Sequence, residues 1–104
     1  MEGKMPAGNT VRPQKWSDVI DLYDDGVNSA VWGAFYDSTT RCLGVRWNGE
    51  SDNVGYPNQG SNPLWYREPD WLAKMILLDL YSRVSKKPSK GNLEHILIAL
   101  KECP

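Results

Sequence analysis

The chain has 104 residues and a net charge of −1, with 40% hydrophobic and 24% charged residues. This length predicts one domain with a modest core, and the near-zero charge gives no global field to attract nucleic acid or an anionic membrane. No apolar run reaches the roughly 18 residues of a membrane span, and the start MEGKMPAGNTVRP lacks the apolar segment of a secretory signal. The sequence therefore predicts a cytoplasmic protein, in which the far-spaced Cys42 and Cys103 are free thiols.

The first segments divide into an arm and the start of a domain. Residues 1–12 are rich in Gly, Pro and polar residues and predict a flexible N-terminal arm, followed by a single domain over residues 13–104. The next run, PQKWSDVIDLYDDG, places apolar residues at positions 16, 19, 20 and 23, which is the spacing of one helical face. This favours a helix, although Asp24 and Asp25 would lie at the negative end of its dipole. The alternative is a strand over 19–23 that turns at Asp25-Gly26.

The segment SAVWGAFYDSTTRCLGVRW predicts a β-hairpin, because two runs of strand-forming residues flank a turn at Asp37–Thr40. On its second strand Leu43, Val45 and Trp47 share one face and are assigned to the core. Arg46 lies on the other face, which is therefore predicted to be the more solvent-exposed one. A third short strand is expected within Asp52–Pro57, because two strands alone are marginal in water.

Two helices are predicted at the end of the chain. EPDWLAKMILLDLYSRVSKK begins with Pro69-Asp70 and ends in lysines before Pro88, as the helix dipole favours. NLEHILIALKEC carries an apolar face that includes Leu97 and Leu100, and a short loop makes the two helices antiparallel. The fold class is therefore α+β: a small antiparallel sheet of about three strands, packed on one side by helices, in the order α-β-β-β-α-α.

The first of these helices indicates a partner. Over Trp71–Val84 apolar side chains cover far more than one third of its surface, and a helix of this kind is covered on more than one side. The sheet and the last helix supply two covers. A second copy would supply a third, so the sequence predicts a homodimer.

Several chemistries have no support in the sequence. The single histidine, His95, lies off the apolar stripe of its helix, and no spacing of His, Cys or carboxylates matches a metal site. Glycine-rich phosphate-binding loops are absent, so no cofactor is predicted. The basic residues between Arg83 and Lys90 predict a solvated helix end, and a weak RNA-contacting domain is the alternative interpretation. We otherwise expect no nucleic acid and no membrane as partner.

The candidate site is the aromatic and acidic loop of residues 48–68 with its flanking ring. Its predicted ligand-binding residues are Trp47, Asp52, Tyr56, Trp65, Tyr66 and Glu68. Aromatic faces beside carboxylates suit a small cationic or amphipathic ligand, or a protein partner. The structural alternative is that these rings cover the core. We therefore predict a non-enzymatic binding or interaction protein, and the alternative is a small enzyme that uses the carboxylates of the loop.

Two resemblances accompany these residues. The run SAVWGAFYDSTTRCLGVRWNG resembles the strand pair of the KTSC family, which implies a nucleic-acid link that the acidic loop does not support. The run GVRWNG…GYPNQG…NPLWY…EPDWL resembles the small uncharacterised proteins carried on bacterial mobile gene cassettes, such as those of integrons. That second resemblance implies a bacterial cytoplasmic protein of unassigned function, often a dimer. It carries over no catalytic residue.

Overall fold

The structure, a computed structural model, describes residues 6–104. Its strands and helices are β1 (Trp16–Asp24), β2 (Asn28–Phe35), β3 (Cys42–Trp47), β4 (Asn58–Gln59), β5 (Asn62–Pro63), β6 (Tyr66–Arg67), α1 (Asp70–Lys86) and α2 (Leu93–Glu102). Short 3-10 turns lie at Gly8–Thr10 and Pro88–Lys90. The main sheet has the order β1-β2-β3-β6 with antiparallel neighbours, and β4 and β5 form a separate ribbon. The α+β class is confirmed, whereas the number and order of strands differ from the prediction.

The largest difference is at the start of the domain, where the predicted helix is wrong and the strand alternative is right. Trp16–Asp24 form β1, an edge strand whose register against β2 shifts twice. Each such bulge inserts one residue and resets the alternation of faces. As a result Trp16 and Val19, three residues apart, pack with the cluster on one face of the sheet, while Ile20 and Tyr23, also three apart, pack on the other. The bulges thus give an extended segment the apolar spacing of a helix.

The β2–β3 hairpin is confirmed, with Gly33 paired to Cys42 and Asn28 paired to Trp47. Past Trp47 the chain turns back on itself, because Trp47 pairs with Tyr56 and Glu50 pairs with Asn53. The third strand expected within Asp52–Pro57 is therefore present only as two isolated bridges.

Both faces of the sheet are covered, not one side only. On the helical face Trp32 and Leu43 pack against Leu77 of α1 and Ile96 of α2. The helices are antiparallel, since the ammonium group of Lys74 near the start of α1 donates to the carbonyls of Leu100 and Cys103 at the end of α2. The second cluster on the opposite face contains Val11, Trp16, Val31, Cys42 and Trp65.

The N-terminal segment takes part in that second cluster. Residues 1–5 of the predicted flexible arm lie outside the described residues, but Val11 is buried against the sheet. Gly8 N–H donates to a carboxylate oxygen of Asp24 at 2.9 Å. The same carboxylate belongs to a network in which the amide of buried Asn48 donates to Asp24 and accepts from the Ser29 hydroxyl at 2.6 Å. Residues 8–11 are thereby tied to the ends of β1 and β3.

Two assignments of burial need correction. Leu97 is exposed, because the inward face of α2 is formed by Ile96 and Ala99. Arg46, expected on a wet face, is only 3% exposed and lies beneath the loop that follows β3. Within residues 6–104, neither helix combines the length and apolarity that a bilayer crossing requires.

Candidate binding groove

A groove of about 570 Å³ opens between the helical face of the sheet and α1. Its floor includes a row of four side chains that runs across the whole sheet. Tyr23 of β1 pairs with Ala30 of β2, Ala30 with Val45 of β3, and Val45 with Tyr66 of β6. Paired residues project from the same face of a sheet. The row therefore has a ring at each end and, at Ala30, a single methyl group that leaves space above the floor.

The opposite wall is one flank of α1. Ile76 and Leu80 lie on this flank across from the sheet, and Asp79 and Arg83, which follow them by three residues each, lie at its edge. The Arg83 Nε donates to the Asp79 carboxylate at 2.5 Å, which is the i,i+4 pairing that an α-helix allows. The groove thus has an apolar floor, and the Asp79–Arg83 ion pair lies at one edge of its helical wall.

The far end of the groove is formed by the turned-back loop after β3. Trp47 is half-buried and pairs with Asn28 on one side and with Tyr56 on the other, and all three residues line the groove. Tyr56 and Tyr66 are each more than half exposed, so both rings present free surface at the rim. A ligand of aromatic or aliphatic character would meet several ring faces here.

Arg46 holds this loop in place from the opposite face of β3. Its guanidinium donates to the backbone carbonyls of Pro57 at 3.1 Å, Leu64 at 2.6 Å and Val54. Burial lowers the pKa of Arg46, because desolvation disfavours the charged guanidinium. Gly55 permits the loop to approach the end of β3 closely, since a Cβ at this position would lie 2.0 Å from the carbonyl oxygen of Trp47.

The polar groups at the edge of the groove near β1 are hydrogen-bonded to one another and to the backbone. Asp25 accepts from the backbone N–H groups of Val27 and Asn28 at 2.9 and 2.8 Å and from the Tyr23 hydroxyl at 3.0 Å. Burial opposes ionisation of Asp25, but these three hydrogen bonds outweigh it and lower the pKa of the carboxyl. Burial also raises the pKa of Tyr23, and the neighbouring carboxylate raises it further. Asp25 therefore stays ionised and Tyr23 stays a hydrogen-bond donor at neutral pH.

The structure brings together three of the six residues predicted for the site. Trp47, Tyr56 and Tyr66 line the groove, whereas Asp52 and Glu68 do not. Asp52 is exposed in the turn between Glu50 and Asn53.

Trp65, the remaining predicted residue, belongs to the cluster on the opposite face of the sheet. It is 4% exposed and its indole N–H donates to the carbonyl of Val11 at 2.8 Å. For this ring the core-cover interpretation agrees with the structure.

Sequence reasoning missed the groove residues that come from outside the loop. The predicted helix over residues 16–24 conceals the role of Tyr23 and Asp25, and the sequence places Arg83 at a solvated basic helix end. The strand alternative for residues 19–23 contains the signal that places Tyr23 beside the hairpin. The α1 contribution has no local signal, because it depends on how the helix is laid across the sheet.

The other sequence candidates lie away from the groove or are already bonded. His95 has its Nδ1 2.7 Å from the carbonyl oxygen of Asp21. Cys42 and Cys103 are free and buried, and burial raises the pKa of both thiols. Across residues 6–104, no three His, Cys, Asp or Glu side chains are grouped in a way that could hold a metal ion.

Comparison with protein-family models found no match, and the searches of curated proteins and of solved structures found none either. The resemblances to gene-cassette proteins and to the KTSC strand pair therefore stay predictions.

Proposed function

We propose that this chain is a non-enzymatic binding module whose groove receives a small amphipathic ligand. The observation that carries the proposal is the row Tyr23–Ala30–Val45–Tyr66, which forms an apolar floor with a ring at each end. The volume of about 570 Å³ lies within the roughly 300–1,000 Å³ of small-molecule sites. Such sites combine apolar walls with a few polar groups that fix orientation, and the groove has both.

The distribution of charge suggests how the ligand is oriented. The apolar part would lie on Val45 and between the rings of Tyr56 and Tyr66, where stacking on each ring contributes about 0.5–1.5 kcal/mol. The polar end would lie at Asp25, where the carboxylate remains ionised. Asp79 is paired with Arg83, so this edge presents both signs of charge.

A cation is favoured less strongly than the sequence suggested. The acidic excess of loop 48–68 does not reach the groove, because Asp52 and Glu68 do not line it. Attraction of a cation would depend on Asp25, and its carboxylate already accepts three hydrogen bonds. We therefore propose an amphipathic aromatic ligand, with a cationic head as the preferred form.

Three naphthalene probes of nearly equal apolar size test the proposal: 1-naphthylmethylammonium, 1-naphthylmethanol and 1-naphthalenesulfonate. Binding is followed by protein NMR, in which the amide signals of Val45, Ile76 and Leu80 should shift together as the groove fills. The expected order of affinity is ammonium, then alcohol, then sulfonate, because Asp25 opposes an anion.

Two tyrosine variants make the result specific to the groove. Tyr66→Ala should weaken binding about 5- to 10-fold, since it removes one ring contact of roughly 1 kcal/mol. Tyr36→Ala is the matched control, because Tyr36 is similarly exposed but lies at the start of the β2–β3 turn, away from the groove. The absence of saturable binding by all three probes at millimolar concentration would contradict the proposal. Equal loss of affinity in both variants would contradict it as well.

A further inference from the structure

We infer that the outward face of α1 is a docking surface for a second copy of this chain, packed antiparallel about a two-fold axis at Leu78. Three large apolar side chains on this face are exposed: Trp71 by 76%, Met75 by 65% and Leu78 by 57%. Their spacing of four and then three residues places them in one line on the helix, and Ser82 continues that line. This line, called the outward stripe below, lies opposite the buried face of Ala73, Leu77, Leu80 and Val84.

The outward stripe is distinct from the groove. The groove uses the flank of α1 that carries Ile76 and Arg83, and none of the three exposed side chains lines it. The other flank is occupied by α2, since the Lys74 ammonium donates to the end of that helix. The outward stripe is therefore the face of α1 that no other part of residues 6–104 covers.

The exposed area is of the size that a small dimer needs. The three side chains together offer on the order of 400 Å² of apolar surface in each copy, given that a large ring alone accounts for about 150–250 Å². The stripes of two copies give about 800 Å², and the flanking polar side chains bring a two-fold pair to the roughly 1,000 Å² in total that a specific interface needs. A two-fold axis also makes the surface self-complementary, because the same stripe is used by both copies.

The charges at the two ends of α1 select the antiparallel arrangement. The exposed Asp70 begins the helix and the exposed Lys86 ends it, and Leu78 is the midpoint between them. A two-fold axis at Leu78 therefore overlaps the two helices along their whole length and places the acidic N-terminal end of each helix alongside the basic C-terminal end of the other. A parallel arrangement would instead place like charges side by side at both ends, and the two helix dipoles would also align unfavourably.

Sedimentation of the full chain tests the association. At about 10 µM we expect twice the mass of the 11.8 kDa chain. Leu78→Asp should raise the dissociation constant by at least about 100-fold, because it brings two carboxylates together at the axis. Leu97→Asp is the matched control: this leucine is also exposed, but it lies on α2, so the dimer should be retained. Far-UV circular dichroism verifies that both variants are folded.

Cysteine cross-linking tests the orientation, and the native thiols do not interfere because Cys42 and Cys103 are buried. Leu78→Cys should form a covalent dimer with itself under mild oxidation. Trp71→Cys should not, because the two copies of this position lie about 20 Å apart along antiparallel helices, at 1.5 Å per residue. A single-chain mass at 100 µM, or an undiminished dimer in Leu78→Asp, would overturn the inference. Equal cross-linking of both cysteine variants would overturn the antiparallel arrangement.

Discussion

Replacing Arg46 by methionine tests whether one buried side chain holds the loop that forms the end of the groove. Methionine keeps most of the apolar stem of arginine and removes the guanidinium. The carbonyls of Val54 and Leu64 then lose their donor, while that of Pro57 keeps the backbone N–H of Leu64. The same change also removes a buried charge, and this relieves part of the desolvation cost that lowers the pKa of Arg46.

The expected loss in the free energy of unfolding is about 2 kcal/mol. A buried polar group left without a partner costs about 1–3 kcal/mol, and two carbonyls are affected. The lower end of that range applies, because Val54 and Leu64 are only half-buried and water can reach their carbonyls in the variant. Arg46→Lys should recover little of this loss, since one ammonium group cannot reproduce the planar fork that spans three acceptors.

Urea unfolding followed by circular dichroism, at one fixed protein concentration, measures this loss. Arg67→Met is the control: Arg67 is exposed on β6 of the same sheet, so its replacement should change stability by less than about 0.5 kcal/mol. Hydrogen exchange should also accelerate at Leu64, whose N–H donates to the carbonyl of Pro57 inside the loop. A loss below about 0.5 kcal/mol for Arg46→Met would refute the role of the guanidinium in holding the loop.

Three further predictions concern the stability of the fold. Trp65→Ala should cost about 3–5 kcal/mol in chemical unfolding, because the ring is buried and its N–H is bonded, and a loss below 1 kcal/mol would refute its role as core cover. Leu80→Ala should cost about 2–5 kcal/mol and the exposed Leu97→Ala much less; equal losses would show that the orientation of α1 or α2 is wrong. The guanidinium of Arg41 lowers the pKa of Glu102 in the folded state, and the indole N–H of Trp32 lowers it further. The resulting stability is present above the unfolded pKa and is lost as pH falls through the folded one, so Glu102→Gln should flatten the loss of stability below about pH 4.

The parts of the fold that the sequence predicts correctly are those with strong local signals. The helix α1 begins after Pro69 with Asp70 in its first turn and ends just before Pro88, as the preferences of helix termini require. The β2–β3 hairpin has strand-forming residues on both sides of a polar turn. In each case the residues that decide the structure are neighbours in the chain, so no knowledge of tertiary packing is needed.

The segment Trp16–Asp24 could not be predicted in the same way, because its apolar period is set by contacts with β2. Two register shifts interrupt the alternation of a strand, and the remaining spacing matches a helix. The two aspartates that oppose a helix were the contrary signal. In the structure Asp24 and Asp25 accept backbone N–H groups of the turn that follows β1, which is a common use of aspartate at a turn.

The candidate site could be predicted only in part, for a related reason. Trp65 and Tyr66 are neighbours at the start of β6, and successive side chains of an extended chain project to opposite faces. Only one of the two rings could therefore line a given surface. A strand of two residues is too short to be recognised by its period, so the sequence groups both rings into one site. The structure separates them by the whole thickness of the sheet.

The apolar character of α1 is best understood as three separate faces. Leu77 belongs to the face that packs on the sheet and α2, Ile76 to the flank that walls the groove, and Leu78 to the outward stripe. The excess of apolar residues that predicted a homodimer thus has two origins, because part of it serves the groove. The two proposals are separable on this basis: Tyr66→Ala should change ligand affinity and leave the mass unaltered, whereas Leu78→Asp should change the mass and leave ligand affinity unaltered. A variant that changed both would indicate that the groove is complete only when two copies meet.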